Sequence, residues 1–287
     1  MDYKLNQTSL PCRNAIVAEV GDFFGRTCFR PESPNGTLTL IKRRGKHYAV
    51  TAGHVSALTF PDARGHFASR CLSFKVGKTI INLAQIAVGG LEHQGRRAID
   101  ISPSAPIDLS IFALSDFAEH LLFQVAEKTP IDLDAWVTPP WSRISHCLTF
   151  GYPTEHKSLV DKDTHTEFRQ TMISPLVQVG SLRERSDTFS LSDRLERSCE
   201  YGFSGMSGGP VYAIDGAPDL VTDSGLFPIG LIFEGHPSSH KRSEPAADSF
   251  LDDRDILFRC LSLSPERFDE WLGSEPLVPK DWPVFLR

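Results

Sequence analysis

Short apolar or alternating runs, each broken after a few positions by Gly, Pro, Asn or Asp, recur along the whole chain. A strand alternates its side chains with a period of two and needs turn residues at its ends, so this punctuation points to an all-β protein. In the first half the expected strands cover residues 15–20, 37–42, 47–51, 80–88 and 109–114, with Arg43-Arg44-Gly45-Lys46 as a hairpin turn. The second half offers residues 146–150, 176–183, 188–192, 210–214 and 229–234. Between about residues 117 and 140 the pattern weakens and two prolines end the stretch, which reads as a crossing between two β units. Residues 154–171 are polar and charged and read as an exposed loop. The tail changes character. Residues 251–261 carry apolar side chains at helical spacing, and Ser264-Pro265-Glu266 reads as an N-cap with proline at the first helical position, opening a helix through Leu272. No fixed-period repeat or low-complexity tract interrupts this order.

Bulk properties narrow the function. With 287 residues the chain can bury a full core, and 23% charged against 40% hydrophobic residues is a globular balance. A net charge of −6 argues against a broad nucleic-acid-binding face, which would be basic. No apolar stretch approaches membrane-spanning length, so neither nucleic acid nor membrane is an expected partner. The first residues, MDYKLNQTSLPCRNAIVAEV, lack a basic start followed by an apolar run of signal-peptide length, so the expected location is the cytoplasm. Cys12, Cys28, Cys71, Cys147, Cys199 and Cys260 are widely spaced, with no CxxC pair to suggest zinc. In a reducing compartment they are expected as thiols, mostly serving as small buried apolar residues.

Three segments carry chemistry together. Tyr48-Ala49-Val50-Thr51-Ala52-Gly53-His54-Val55 is a strand ending in a turn that presents a histidine. Ile107-Asp108-Leu109-Ser110-Ile111-Phe112 brings an aspartate into an apolar strand, and Gly205-Met206-Ser207-Gly208-Gly209-Pro210-Val211 sets a serine in a glycine-rich turn before another. A serine hydroxyl is a weak nucleophile and needs a base within hydrogen-bond reach. Histidine suits that role because its pKa lies near the working pH. A carboxylate that fixes the imidazole tautomer is worth about 10⁴ in turnover where it has been removed. The glycines let the backbone turn so that the N–H groups of Gly205 and Ser207 can face a developing oxyanion, each such donor being worth roughly 10²–10³ in rate.

Thr51-Ala52-Gly53-His54, Asp108-Leu109-Ser110-Ile111 and Gly205-Met206-Ser207-Gly208-Gly209-Pro210 resemble the three signature segments of chymotrypsin-like (trypsin-fold) serine peptidases, in that family's order of His, Asp, Ser. Gly25-Arg26-Thr27-Cys28-Phe29, Gly151-Tyr152-Pro153 and Pro228-Ile229-Gly230-Leu231-Ile232 add weaker matches, and the likeness spans about residues 14–236. The resemblance implies two six-stranded antiparallel β-barrels: residues 14–120 carrying His54 and Asp108, a crossing over 121–145, and residues 146–245 carrying Ser207. A helical tail would follow over 246–287. It implies a serine endopeptidase acting through an acyl-enzyme on a protein or peptide, with His54, Asp108 and Ser207 catalytic and Gly205 and Ser207 forming the oxyanion hole. No cofactor or metal is implied.

The chain also departs from that family. Met206 stands where the secreted trypsins carry the aspartate that pairs with a freed N-terminus, so zymogen activation of that kind is not expected. Cysteines do not flank His54 or Ser207 at the secreted enzymes' spacing, which places the resemblance in the disulfide-free bacterial or intracellular branch. By the family's spacing Tyr201 stands at the base of the primary specificity pocket, so the pocket floor holds no carboxylate; Glu200 and Glu234 are nearby acidic alternatives. Phe233-Glu234-Gly235 resembles the segment that lines the pocket and pairs with the substrate backbone.

Rival readings accompany each motif. Asp100 competes with Asp108 but lacks the apolar strand that follows Asp108. Gly205-Met206-Ser207-Gly208-Gly209 also fits the nucleophile elbow of α/β-hydrolases, with Asp223 and His236 as nominal partners, but the alternating strands and long helices of that fold are missing upstream. His236 and His240 flank a Pro-Ser-Ser loop without a third ligand, so they read as solvated rather than metal-binding. A different class of function keeps the fold and drops catalysis: a binding module, or a protease silent until an activating protein partner orders its oxyanion loop.

Overall fold

The computed structural model describes residues 17–24, 28–29, 36–53, 71–76, 79–82, 91–97, 108–114, 116–125, 128–151, 157–162, 165–170, 176–179, 187–195, 203, 205–215, 225–236 and 254–273. These residues form two main sheets and few helices, so the all-β expectation holds.

The first sheet contains β1 (Val17–Phe24), β2 (Cys28–Phe29), β3 (Gly36–Arg43), β4 (Lys46–Ala52), β5 (Cys71–Val76), β6 (Thr79–Asn82), β7 (Leu91–Arg97) and β8 (Leu109–Leu114). Its strand order is β6-β5-β1-β3-β4-β8-β7, with β2 on β1 and a short parallel strand, β9 (Ile131–Asp132), on β3. Strands β3 and β4 join through Arg44 (φ 53°) and Gly45 (φ 69°), the two left-handed residues that a tight hairpin demands. The Asp134 carboxylate accepts both turn N–H groups, from Arg44 at 2.6 Å and Gly45 at 2.9 Å, and so supports a conformation that arginine alone resists.

After β8 the chain passes through α1 (Asp116–Glu119) and a π-helical stretch, His120–Val125, into the crossing. The second sheet is a closed barrel of β10 (Ile144–Thr149), β13 (Leu176–Val179), β14 (Thr188–Arg194), β17 (Asp255–Ser262), β16 (Leu226–His236) and β15 (Pro210–Asp215), in that order around the ring. Here β15 pairs back onto β10 and leaves no edge. Cys147, Phe189, Leu191, Met206, Val211, Ile232, Phe258 and Cys260 fill its interior. A second core joins the sheets: Ile41, Tyr48, Val50, Leu109 and Ile111 of the first pack with Leu148, Phe150, Tyr212, Ile214 and Leu261 of the barrel. The helix α2 (Pro265–Gly273) inserts Phe268 and Trp271 into that same core.

Three expectations need correction. Residues 251–261 were expected as helix, yet Asp255–Ser262 is β17, the strand that closes the barrel between β14 and β16. Ile256, Phe258 and Cys260 alternate inward, so a two-residue period lay beneath the helical spacing. Residues 154–171 contain a separate hairpin, β11 (Lys157–Lys162) and β12 (His165–Gln170), with Leu159 opposite Phe168 in register. Its many charged residues hide that alternation. The first unit, expected as a six-stranded barrel, is a nine-stranded sheet whose end strands β6 and β7 do not pair with each other among the described residues. The second tail helix is where expected: the Ser264 hydroxyl accepts the Arg267 N–H at 3.2 Å, capping α2. Among the described residues no helix is long and apolar enough to cross a membrane.

Candidate active site

Ser207 lies in the turn between Phe203 and β15, 9% exposed. Gly205 (φ 97°) and Gly208 (φ 90°) bracket it, both in backbone that side chains resist. A Cβ on Gly208 would lie 2.1 Å from the Thr37 carbonyl oxygen and 2.5 Å from Thr51 Oγ1, so the turn presses directly on the first sheet. Met206 is fully buried in the barrel core.

The backbone of this turn is almost completely tied. The Met206 N–H donates to the Phe203 carbonyl (3.1 Å), and the Met206 carbonyl accepts the Gly209 N–H (2.8 Å). The Gly208 N–H donates to the Ile232 carbonyl (2.7 Å), and the Ile232 N–H returns to the Gly209 carbonyl (2.8 Å). The remaining carbonyls face the first sheet: Gly205 O accepts Thr37 Oγ1 (2.8 Å), Ser207 O accepts the Thr37 N–H (2.9 Å), and Gly208 O accepts Thr39 Oγ1 (2.6 Å). Two donors are left. Among the described residues neither the Gly205 N–H nor the Ser207 N–H meets an acceptor.

The Ser207 hydroxyl donates to the Phe233 carbonyl at 3.3 Å, which sets the start of the Phe233-Glu234-Gly235 segment beside the serine. That segment belongs to β16, bulged between Ile232 and Glu234, with β17 along one side. Strand β15 last pairs with β16 at Pro210 and Leu231, so beyond that point no strand covers its other side among the described residues. Glu234 is exposed and its carboxylate meets Arg259 at 3.2 Å. Behind Gly235, Phe203 and Phe258 pack edge to face with centroids 5.0 Å apart.

On the first sheet, the Asp108 carbonyl accepts the Gly53 N–H at 3.0 Å, so Asp108 sits against the residue that precedes His54. His54, Tyr201 and the rival Asp100 lie outside the described residues, as do Glu200, Asp223 and His240. Sequence reasoning missed Thr37 and Thr39. Their signal was present: two threonines on one face of an apolar strand, Gly36-Thr37-Leu38-Thr39-Leu40, both enclosed in the structure. Thr51 Oγ1 donates to the Thr37 carbonyl (2.8 Å) and joins them to the strand leading to His54.

Two cysteines in the barrel core, Cys147 and Cys260, are free thiols. Burial pushes the Cys147 thiol up to about 12 and Cys260 well above its ordinary value, so both stay protonated and inert. Among the described residues no group of three His, Cys, Asp or Glu side chains could hold a metal ion.

No protein-family model and no curated relative matches the sequence. Among solved structures the chain is similar to the thermostable serine protease AL20 from an extremophilic microorganism, at 14% identity and TM-score 0.47, covering 92% of this chain and 97% of that one. It is similar to the protease Anisep from Arthrobacter nicotinovorans at 11% identity and TM-score 0.44, covering 91% and 98%. A third structure, from work on coupled folding and binding of the Sesbania mosaic virus VPg protein, aligns at 12% identity and TM-score 0.42 over 85% of each chain. These scores and identities are low.

Proposed function

We propose that this chain is a serine endopeptidase of the trypsin-like two-barrel type, hydrolysing peptide bonds through an acyl-enzyme. Ser207 attacks the scissile carbonyl, His54 takes its proton and returns it to the leaving amine, and Asp108 orients His54. One observation carries this reading. In a buried turn whose other peptide groups from Gly205 to Gly209 are bonded, the Gly205 and Ser207 N–H groups are the donors left without an acceptor among the described residues. Buried N–H groups without partners are rare in folded proteins, and a pair made of the serine's own N–H and that of the residue two before it suits an oxyanion.

Beyond Ile232 no strand among the described residues covers the β15 side of β16, which can offer backbone groups to an extended peptide, with Phe233 adjacent to Ser207. Glu234 is held by Arg259 and Tyr201 carries no charge, so a basic side chain next to the scissile bond gains little here. The Ser207 hydroxyl must leave the Phe233 carbonyl to reach a base, a rotation about one side-chain bond.

The test is intact mass after exposure to a fluorophosphonate, on wild type and Ser207→Ala side by side. A single adduct on wild type alone is expected. An adduct that persists in Ser207→Ala rejects Ser207 as the nucleophile; no adduct on either protein rejects autonomous activity and favours a module that needs a partner.

A further inference from the structure

We infer that Thr37, a residue of the first sheet, is the positioning residue that sets the peptide geometry of the Ser207 turn. The catalytic consequence rests on reading Ser207 as the nucleophile; the geometric claim stands without it.

Glycine torsions are soft, and this turn has glycine on both sides of Met206-Ser207. Such a turn does not hold itself. The barrel fixes Met206 and Gly209, but the carbonyls of Gly205 and Ser207 point to the first sheet, where Thr37 binds both. It does so with two different groups: its hydroxyl to Gly205 O at 2.8 Å and its N–H to Ser207 O at 2.9 Å. Because each peptide unit is planar, fixing the Gly205 carbonyl also fixes the plane it shares with the Met206 N–H. The Ser207 N–H lies in the Met206–Ser207 unit between the two units that Thr37 holds, and the Gly205 N–H in the unit just before the first, so both donors are flanked by carbonyls that Thr37 fixes.

The site is built for this hydroxyl. Thr37 is fully enclosed, its own carbonyl is held by Thr51 Oγ1, and Gly151 leaves the space beside it empty of side chain. A Cβ on Gly151 would come within 3.0 Å of Thr37 Oγ1 and 2.6 Å of Met206 Sδ. No water can stand in for a hydroxyl so enclosed, and its loss orphans the Gly205 carbonyl. The turn then relaxes about its glycines, and the two unpaired N–H groups lose their alignment. Thr39 bonds only the carbonyl beyond the serine, so it secures the exit of the turn rather than its donors.

The experiment compares the full-length wild type with Thr37→Val, which keeps the shape and the N–H but lacks the hydroxyl, and with Thr37→Ser, which restores it. Two readouts are taken: the rate constant for fluorophosphonate labelling at Ser207, and the amide resonances of Gly205, Met206 and Ser207 in protein labelled with ¹⁵N at Gly, Met and Ser. Thr37→Val is expected to slow labelling by ~10-fold or more, part of the roughly 10²–10³ that one oxyanion donor is worth. It should also shift those three amides, while Thr37→Ser recovers both to within about 3-fold in rate. Wild-type rate and amide positions in folded Thr37→Val overturn the inference, and so does a Thr37→Ser protein as impaired as the valine variant. Should Thr37→Val fail to fold, Thr37→Cys takes its place, since a thiol donates weakly; equal behaviour of the Ser and Cys variants then overturns it. If wild type itself takes no label, autonomous activity is rejected, and the amide comparison alone decides for or against Thr37.

Discussion

The two sheets solve the edge problem differently, and the candidate site sits where the solutions meet. The barrel closes β10 through β15 on itself and fills its interior with its own side chains. The first sheet ends at β6 and β7 without mutual pairing among the described residues, and its enclosed face is completed by barrel side chains and by α2. Among the described residues the barrel has a core of its own and shares a second with the first sheet. The Ser207 turn leaves the barrel, yet its outward carbonyls are held by the first sheet. The hydrogen bonds of the turn are therefore complete only when the two are docked.

The strongest way to break this picture is to force the two apart at their closest approach. Gly208→Ala places a methyl 2.1 Å from the Thr37 carbonyl oxygen at a φ of 90°, so it adds a clash to backbone strain. Destabilisation above about 3 kcal/mol and loss of labelling at Ser207 are expected. Denaturant melts and the fluorophosphonate assay measure both. A protein that melts and labels normally would show that the contact is not required.

The next largest effect separates the units by their cores. Phe268 is completely enclosed and lies edge-on to Tyr48, with centroids 5.4 Å apart. Phe268→Ala should cost about 3–5 kcal/mol, with hydrogen exchange rising in β3, β4 and β8 before it rises in β14 or β16. Uniform loss of protection would show that the sheets unfold as one.

Much of this architecture was legible in the sequence, for reasons that also mark where reading stops. Strand β8 matches the expectation residue for residue, because an apolar run set off by Asp108 admits little else. The β3–β4 hairpin was legible from Arg44-Gly45, a local turn requirement. Strand β17 was not: its residues satisfy a helical and a strand period alike, and only the gap between β14 and β16 decides. The β11–β12 hairpin was hidden by its charge. At the candidate site, motif spacing singled out Asp108, Gly205 and Ser207 as expected site residues because the resemblance is carried by short segments. Thr37 and Thr39 act across 168 and 169 positions of sequence through side-chain bonds that no local pattern announces.

The crossing between the sheets holds a buried group whose titration couples to stability. Lys128 is enclosed, and burial lowers its ammonium to about 8 from 10.5. Between those values the unfolded chain binds more protons than the folded one, so stability should rise as pH increases from about 8 towards 10. The gain is on the order of 2 kcal/mol, and Lys128→Met should flatten the rise. A melting profile equally steep in that variant would assign the slope to other groups.

The smallest effect tests whether the sheet is also held from outside. Arg43 clasps Asp269 of α2 with two bonds, Nε to Oδ1 at 3.0 Å and Nη2 to Oδ2 at 2.7 Å, and Arg44 adds a third at 2.8 Å. The hydrogen bond from Arg43, with that from Arg44, holds the Asp269 carboxyl below the usual carboxylate range despite some desolvation. A depressed carboxyl contributes its stability above its unfolded pKa and loses it as pH falls through the folded value, so this clasp should open only below about pH 4. Both side chains are partly exposed, which limits the clasp to about 1 kcal/mol and makes it sensitive to salt. Asp269→Asn should therefore lower the melting temperature slightly at neutral pH and low salt. The difference from wild type should vanish in high salt or strong acid. If it persists in both, the contribution of Asp269 is packing rather than charge, and the first sheet depends on α2 through its apolar face alone.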